Sequence, residues 1–213
     1  KPVVAVITSM AQPLGTHIGN ALEVKDAIDV LAGRTQGDLL EISLLLGSHM
    51  LVLAEKAKTL PEARAMLENA LSSGAGLRKL AEMIAAQGGD SRVVEDLSLL
   101  PQAAVKRVMR AETAGYLSAM DTTALGMAAQ RMGAGRAKKS DMLDYSVGYV
   151  LHVRLGDEVT EDTPLATLYA RNEAEAEEAE KAIRKALTIA GEKPSVPPLW
   201  DAVVTAEGII YNR

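Results

Sequence analysis

The rhythm of hydrophobic positions changes several times along the chain, and each change marks a new element. Residues 3–8 read VVAVIT, a run dominated by β-branched side chains, which predicts a buried strand. A turn over Ser9-Met10-Ala11-Gln12-Pro13-Leu14-Gly15 follows, and a helix begins near Ile18. A short apolar run, a Gly/Pro turn and a helix suggest a parallel strand feeding its crossover. The turn would lie at the carboxyl end of that strand, where open α/β sheets place ligands.

The helix predicted over residues 20–32 carries one apolar stripe, Val24, Ala27, Ile28 and Leu31, at helical spacing. A second row, Leu22, Asp26 and Val30, lies on nearly the opposite side. A helix apolar on two sides is buried between layers, which puts the Asp26 carboxylate among apolar neighbours. A buried carboxylate needs a partner. A lysine or arginine is the ordinary choice and a bound cation the sharper one. Further apolar-periodic stretches predict helices over 37–57, from Pro61 to about 73, and over 76–87. Short turns join them, as in a packed helical layer. His49, with no acid or histidine at ligand spacing, reads as a core or boundary histidine.

After Pro101-Gln102 the period shortens. Residues 105–110 alternate apolar and basic, as a half-buried strand does. Gly115-Tyr116-Leu117 and Gly148-Tyr149-Val150 form a weak internal repeat. A helix is expected over 122–132, then the loop Gly133-Ala134-Gly135-Arg136. A charged amphipathic helix is expected over 172–190, facing inward with Ala179, Ala182, Ile183, Ala186, Leu187 and Ala190. Pro194 to Pro198 reads as a linker before one or two strands over 199–211, turned at Glu207-Gly208. Three segments follow: 1–101, 102–191 and 192–213.

Composition narrows the function classes. Of 213 residues, 48% are hydrophobic and 24% charged, a globular balance. A net charge of −5 argues against nucleic-acid binding. With no cysteine, neither disulfides nor thiolate metal sites are available. No run is apolar for long enough to span a bilayer as a helix. Aromatics make up only 3% and phenylalanine is absent, so the core must be built from aliphatic residues, methionine and alanine. The three histidines, His17, His49 and His152, are far apart in sequence. The glycine-rich 133–136 stretch follows a helix instead of opening one, which suits a structural turn better than a P-loop. The chain starts at Lys1, directly before an apolar strand, and is expected to be an excised or processed piece.

An ordered set of motifs carries a resemblance. Residues 7–28, ITSMAQPLGTHIGNALEVKDAI, are followed by Ala85-Ala86-Gln87-Gly88-Gly89-Asp90, Leu100-Pro101, Leu125-Gly126-Met127-Ala128, Gly133-Ala134-Gly135-Arg136, Asp144-Tyr145-Ser146-Val147-Gly148 and Leu155-Gly156-Asp157. In this order they resemble the later half of the pyrimidine-nucleoside phosphorylases, the thymidine phosphorylase family. The resemblance implies an α/β plus α+β fold. A helical layer with one strand from a larger α/β domain would precede a C-terminal barrel-sandwich-like (α/β-hammerhead) domain. It implies phosphorolysis of a pyrimidine nucleoside to free base and pentose 1-phosphate, in the cytoplasm. It also implies a homodimer formed through an upstream helical domain.

In that family the phosphate- and base-binding groups precede the strand that opens this chain. The resemblance therefore implies no catalytic residue here and no organic cofactor. It does imply part of a site for a monovalent, potassium-like cation at Leu14, His17 and Asp26, with the first two contributing backbone oxygens. The family's usual glutamate is Asp26 here; one methylene less shortens the reach and leaves room for a bridging water. Two alternatives stand beside this reading. One is a biotinyl- or lipoyl-type carrier module, whose hairpin pattern residues 148–168 share. The other is an anthranilate phosphoribosyltransferase-type enzyme, against which residues 102–191 argue.

Overall fold

A computed structural model describes residues 2–212. In chain order the strands are β1 (Ala5–Thr8), β2 (His17–Ile18), β3 (Val105–Arg110), β4 (Gly115–Met120), β5 (Gly148–Leu151), β6 (Glu158–Val159), β7 (Pro164–Ala170), β8 (Leu187–Ala190), β9 (Trp200–Thr205) and β10 (Gly208–Tyr211). The α-helices are α1 (Asn20–Leu31), α2 (Asp38–Leu53), α3 (Leu60–Ser72), α4 (Ala75–Ala86), α5 (Thr122–Ala129) and α6 (Glu173–Ala186). The chain is mixed α and β, and every strand pairing among the described residues is antiparallel. It forms two compact units. One contains the described residues up to Ser9, Ala27–Leu97, and those from Pro198 onward; the other contains Met10–Asp26 and Ser98–Pro197.

In the first unit, β9 lies between β1 and β10. Ala5 pairs with Val204 and Ile7 with Ala202, both antiparallel. The expected buried parallel strand is thus an antiparallel edge strand, with Ile7 48% exposed. A β-branched run specifies extended backbone, but the direction of its partner depends on residues at the far end of the chain. The terminal hairpin β9–β10 belongs to this sheet and is not a separate segment.

The helices of this unit follow local rules. Thr59 caps α3 by accepting the Glu62 N–H at 3.3 Å, and Pro61 sits in its first turn. Val30, Leu40 and Leu44 form a core packed by Leu39, Leu67 and Leu71. A side chain at Gly47 would lie 2.9 Å from Leu67 Cδ1, so glycine lets α2 and α3 close together.

The second unit holds two sheets, in the orders β2-β5-β7-β3 and β6-β4-β8. Met109, Leu117, Leu125, Tyr149, Leu151, Leu168 and Ile183 are almost fully buried in one core. Alanines 128, 176 and 179 are buried in the same core, which allows close packing in place of the missing phenylalanines. Asn172 caps α6 by accepting the Glu175 N–H at 2.9 Å. The helix ends at Ala186, earlier than its apolar stripe suggests. Residues 187–190 become β8, which pairs with β4 through Leu117–Ile189 and Met120–Leu187. The two Gly-Tyr starts share a physical cause. A Cβ on Gly148 would come 2.1 Å from the Ile18 oxygen, and one on Gly115 2.5 Å from the Ala190 oxygen. Both glycines have positive φ, 146° and 151°, so each serves close backbone approach as well as conformation.

The division near residue 101 expected from the sequence lies close to the observed one at 97/98, but residues 10–26 join the later part of the chain. The reason is β2, two residues that complete a sheet whose other strands lie far along the chain. Among the described residues no helix is long and apolar enough to cross a membrane.

Candidate functional site

The turn of residues 9–15 and the start of α1 carry the residues singled out above. β2 places His17 opposite Val150 of β5, and the Leu151 N–H donates to the Thr16 carbonyl at 2.8 Å. By the alternation of antiparallel pairing, the His17 carbonyl points away from β5. The predicted row Leu22, Asp26 and Val30 is buried throughout. The Asp26 side chain is only 6% exposed, and its Oδ1 lies 3.5 Å from His17 Nδ1. Thr16 Oγ1 is 3.0 Å from the same nitrogen. The ordinary expectation was a lysine or arginine partner for Asp26; the group found beside it is a histidine three residues before the helix.

Leu14 faces a different group. The Arg154 guanidinium donates to the Pro13 carbonyl at 2.7 Å and the Gly15 carbonyl at 3.5 Å through Nη1, and to the Leu14 carbonyl at 3.3 Å through Nη2. Next to it, the Leu155 N–H donates to Gln12 Oε1 at 2.9 Å. The tight turn of residues 154–157 holds Arg154 in place. Its N–H donates to Asp157 Oδ2 at 2.7 Å, and its carbonyl accepts the Asp157 N–H at 3.1 Å. Leu117 of β4 anchors that turn through bonds to Asp157 and Gly156, both 2.9 Å.

The structure therefore brings His17 to Asp26 and Leu14 to Arg154. Asp26 has the charge a cation would seek, but the Leu14 oxygen already accepts from a cation. A potassium ion on that oxygen would sit about 5 Å from the guanidinium, where like charges repel by about 3 kcal/mol at an effective dielectric constant near 20. As they stand, the three residues do not fit a monovalent ion. Arg154 is the member that sequence reasoning missed. Its one signal is a cation directly before Leu155-Gly156-Asp157, and carbonyl acceptors have no signature in sequence.

The other candidates have structural explanations. After α5 the helix widens into a π turn, Gln130–Ala134, with Gly133 at φ 105°. The backbone N–H groups of Ala137 and Lys138 donate to Asp141 Oδ2 at 3.1 and 2.8 Å. The chain's own carboxylate fills the place where an anion would bind. Lys138 and Lys139 lie in the loop between α5 and β5, not at the tip of a tight β-hairpin where a carrier domain presents its lysine. His152 Nε2 lies 2.7 Å from Thr167 Oγ1. A cavity of about 290 Å³ lies beside α5 and α6. Its rim mixes Arg131, Lys181 and Lys185 with Glu175 and Glu178, so opposite charges largely cancel there.

Comparison with known proteins adds the decisive observation. Residues 116–190 match the family described as "Pyrimidine nucleoside phosphorylase C-terminal domain". The chain is 50% identical over 173 residues to the pyrimidine-nucleoside phosphorylase of Bacillus subtilis (strain 168), which covers 81% of the chain. It is 48% identical over 173 residues to the enzyme of that name from Geobacillus stearothermophilus, again over 81% of the chain. With the one from Staphylococcus aureus (strain USA300) the identity is 42% over 201 residues, or 94% of the chain.

The chain belongs to the pyrimidine-nucleoside phosphorylase family and corresponds to its C-terminal region.

The match accounts for 40% of the length of each of the first two relatives and 46% of the third. The family's C-terminal domain, as matched at 116–190, runs from β4 to the last residue of β8. It thus includes Gly148 and the turn that carries Arg154, and it begins one residue after Gly115. Gln12, Leu14, His17 and Asp26 lie outside it.

Proposed function

We propose that this chain works as the C-terminal part of a pyrimidine-nucleoside phosphorylase, with the unit containing β2 to β8 as a barrel-sandwich-like (α/β-hammerhead) domain. The observation that carries the reading is identity of 42–50% across 81–94% of the chain to proteins of that name. In the reaction a phosphate oxygen bonds to the anomeric carbon as its bond to the base nitrogen breaks, and the base departs with the electron pair. The products are the free pyrimidine and a pentose 1-phosphate. Charge develops on the sugar and the departing base, so catalysis is positioning and electrostatic stabilisation. The substrates are a pyrimidine nucleoside and inorganic phosphate, and the working protein is a cytoplasmic homodimer joined through an upstream helical domain.

The chain alone lacks the groups that grip phosphate and base in this reading. Its most anion-like backbone pocket is filled by Asp141. Incubated alone with thymidine or uridine and phosphate, it releases no base above the buffer blank. Base release by the isolated chain would contradict this assignment of the catalytic groups to an upstream part.

A further inference from the structure

We propose that the Arg154 guanidinium takes the place of a bound monovalent cation in organising residues 13–15, so that this segment keeps its fold in solutions free of potassium. Three consecutive carbonyl oxygens, those of Pro13, Leu14 and Gly15, lie 2.7, 3.3 and 3.5 Å from its nitrogens. Backbone oxygens gathered on one point are what a large monovalent ion asks of a protein. Here the positive charge is covalently attached. A guanidinium stays protonated at any pH at which the fold survives, and its fork presents several donors at once. The charge is therefore present whatever the salt.

The arm that delivers the guanidinium is itself fixed. Arg154 is bonded through its N–H and carbonyl to Asp157, and Leu117 of β4 holds the turn from behind. The neighbouring Leu155 N–H, donating to Gln12, adds a second attachment to the same segment. The other task of an ion, giving the buried Asp26 a polar neighbour, also has a group within the protein, since His17 Nδ1 lies 3.5 Å from that carboxylate. Both tasks are thus met by side chains of the chain. The inference concerns the fold of residues 12–26 and holds whether or not the chain takes part in phosphorolysis.

The test is thermal unfolding of the whole chain in potassium chloride and in choline chloride at equal ionic strength. The expected result is coincident midpoints for the unaltered chain. Arg154→Met is expected to lower the midpoint by about 3–6 °C in choline chloride, through loss of charge-assisted bonds to backbone. A midpoint of the unaltered chain that falls by several degrees when choline replaces potassium would overturn the proposal. So would an Arg154→Met chain that melts with the unaltered one. If that variant does not fold, the comparison of salts on the unaltered chain decides the question. Thallium(I), which mimics potassium, supplies a second readout. Saturable thallium binding that disappears in Asp26→Asn would also overturn the proposal, and no saturable binding is expected.

Discussion

His17 Nδ1 lies 3.5 Å from Asp26 Oδ1 inside the second unit, both side chains being largely covered. A strand of two residues and the first turns of a helix are held to each other by this pair. The contact is long, and its worth lies in giving a buried carboxylate a partner. Replacing His17 with alanine should destabilise the chain by about 1–3 kcal/mol. A cycle with Asp26→Asn should show coupling of at least about 0.5 kcal/mol. Urea denaturation of the four proteins measures it, and strictly additive effects would show that the two side chains act independently.

His49 of α2 has a buried Nε2 without a hydrogen-bond partner, and burial lowers its pKa below the ordinary histidine value. The unfolded chain therefore takes up the proton first as pH falls. Stability linked to His49 is intact above the unfolded pKa, about 6.5, and drains away as pH drops through the lower folded value. His49→Leu should flatten the change in thermal midpoint between about pH 7 and 5. Equal slopes for the two proteins would remove His49 from the account.

Two glycines predict opposite outcomes for one substitution. Gly148→Ala places a Cβ 2.1 Å from the Ile18 oxygen at φ 146°, and should cost at least about 3 kcal/mol. Gly126 lies within α5 with nothing near its missing Cβ. Gly126→Ala should therefore stabilise by about 0.5–1 kcal/mol. Chemical denaturation of both variants checks the pair, and a tolerated alanine at 148 would mean that the strands do not cross as described.

A polypeptide of residues 98–197 leaves out β2, which pairs with β5. It also lacks Gln12 and the three carbonyls that Arg154 holds. Amide exchange at Leu151, whose N–H donates to Thr16, should be faster in that polypeptide than in the whole chain. Unchanged protection there would show that residues 10–26 add nothing to this unit.

Local rules made much of the chain readable. Pro61 marks the start of α3 because a proline's fixed φ and missing N–H suit the first turn of a helix. The alternation of β3 and the alanine stripe of α6 follow from which face is buried. Sequence reading failed where a distant partner decides. β1 takes its direction from β9, and Leu187 and Ala190 continue a helical spacing until the edge of β4 turns them into strand. At the candidate site, Asp26 was legible as a buried carboxylate in an apolar row. His17 as its partner and Arg154 as the holder of three carbonyls were not, because both depend on β2 meeting β5 and on the turn of residues 154–157.

The proposal that the chain serves a phosphorolytic enzyme is tested most directly by transplantation. The 173 residues that align with the Bacillus subtilis relative would replace the matching segment of that protein, and release of uracil or thymine would be followed with and without phosphate. The account predicts base release that requires phosphate and is within about tenfold of the relative's own rate. A folded chimera that binds nucleoside yet releases no base with phosphate present would contradict it.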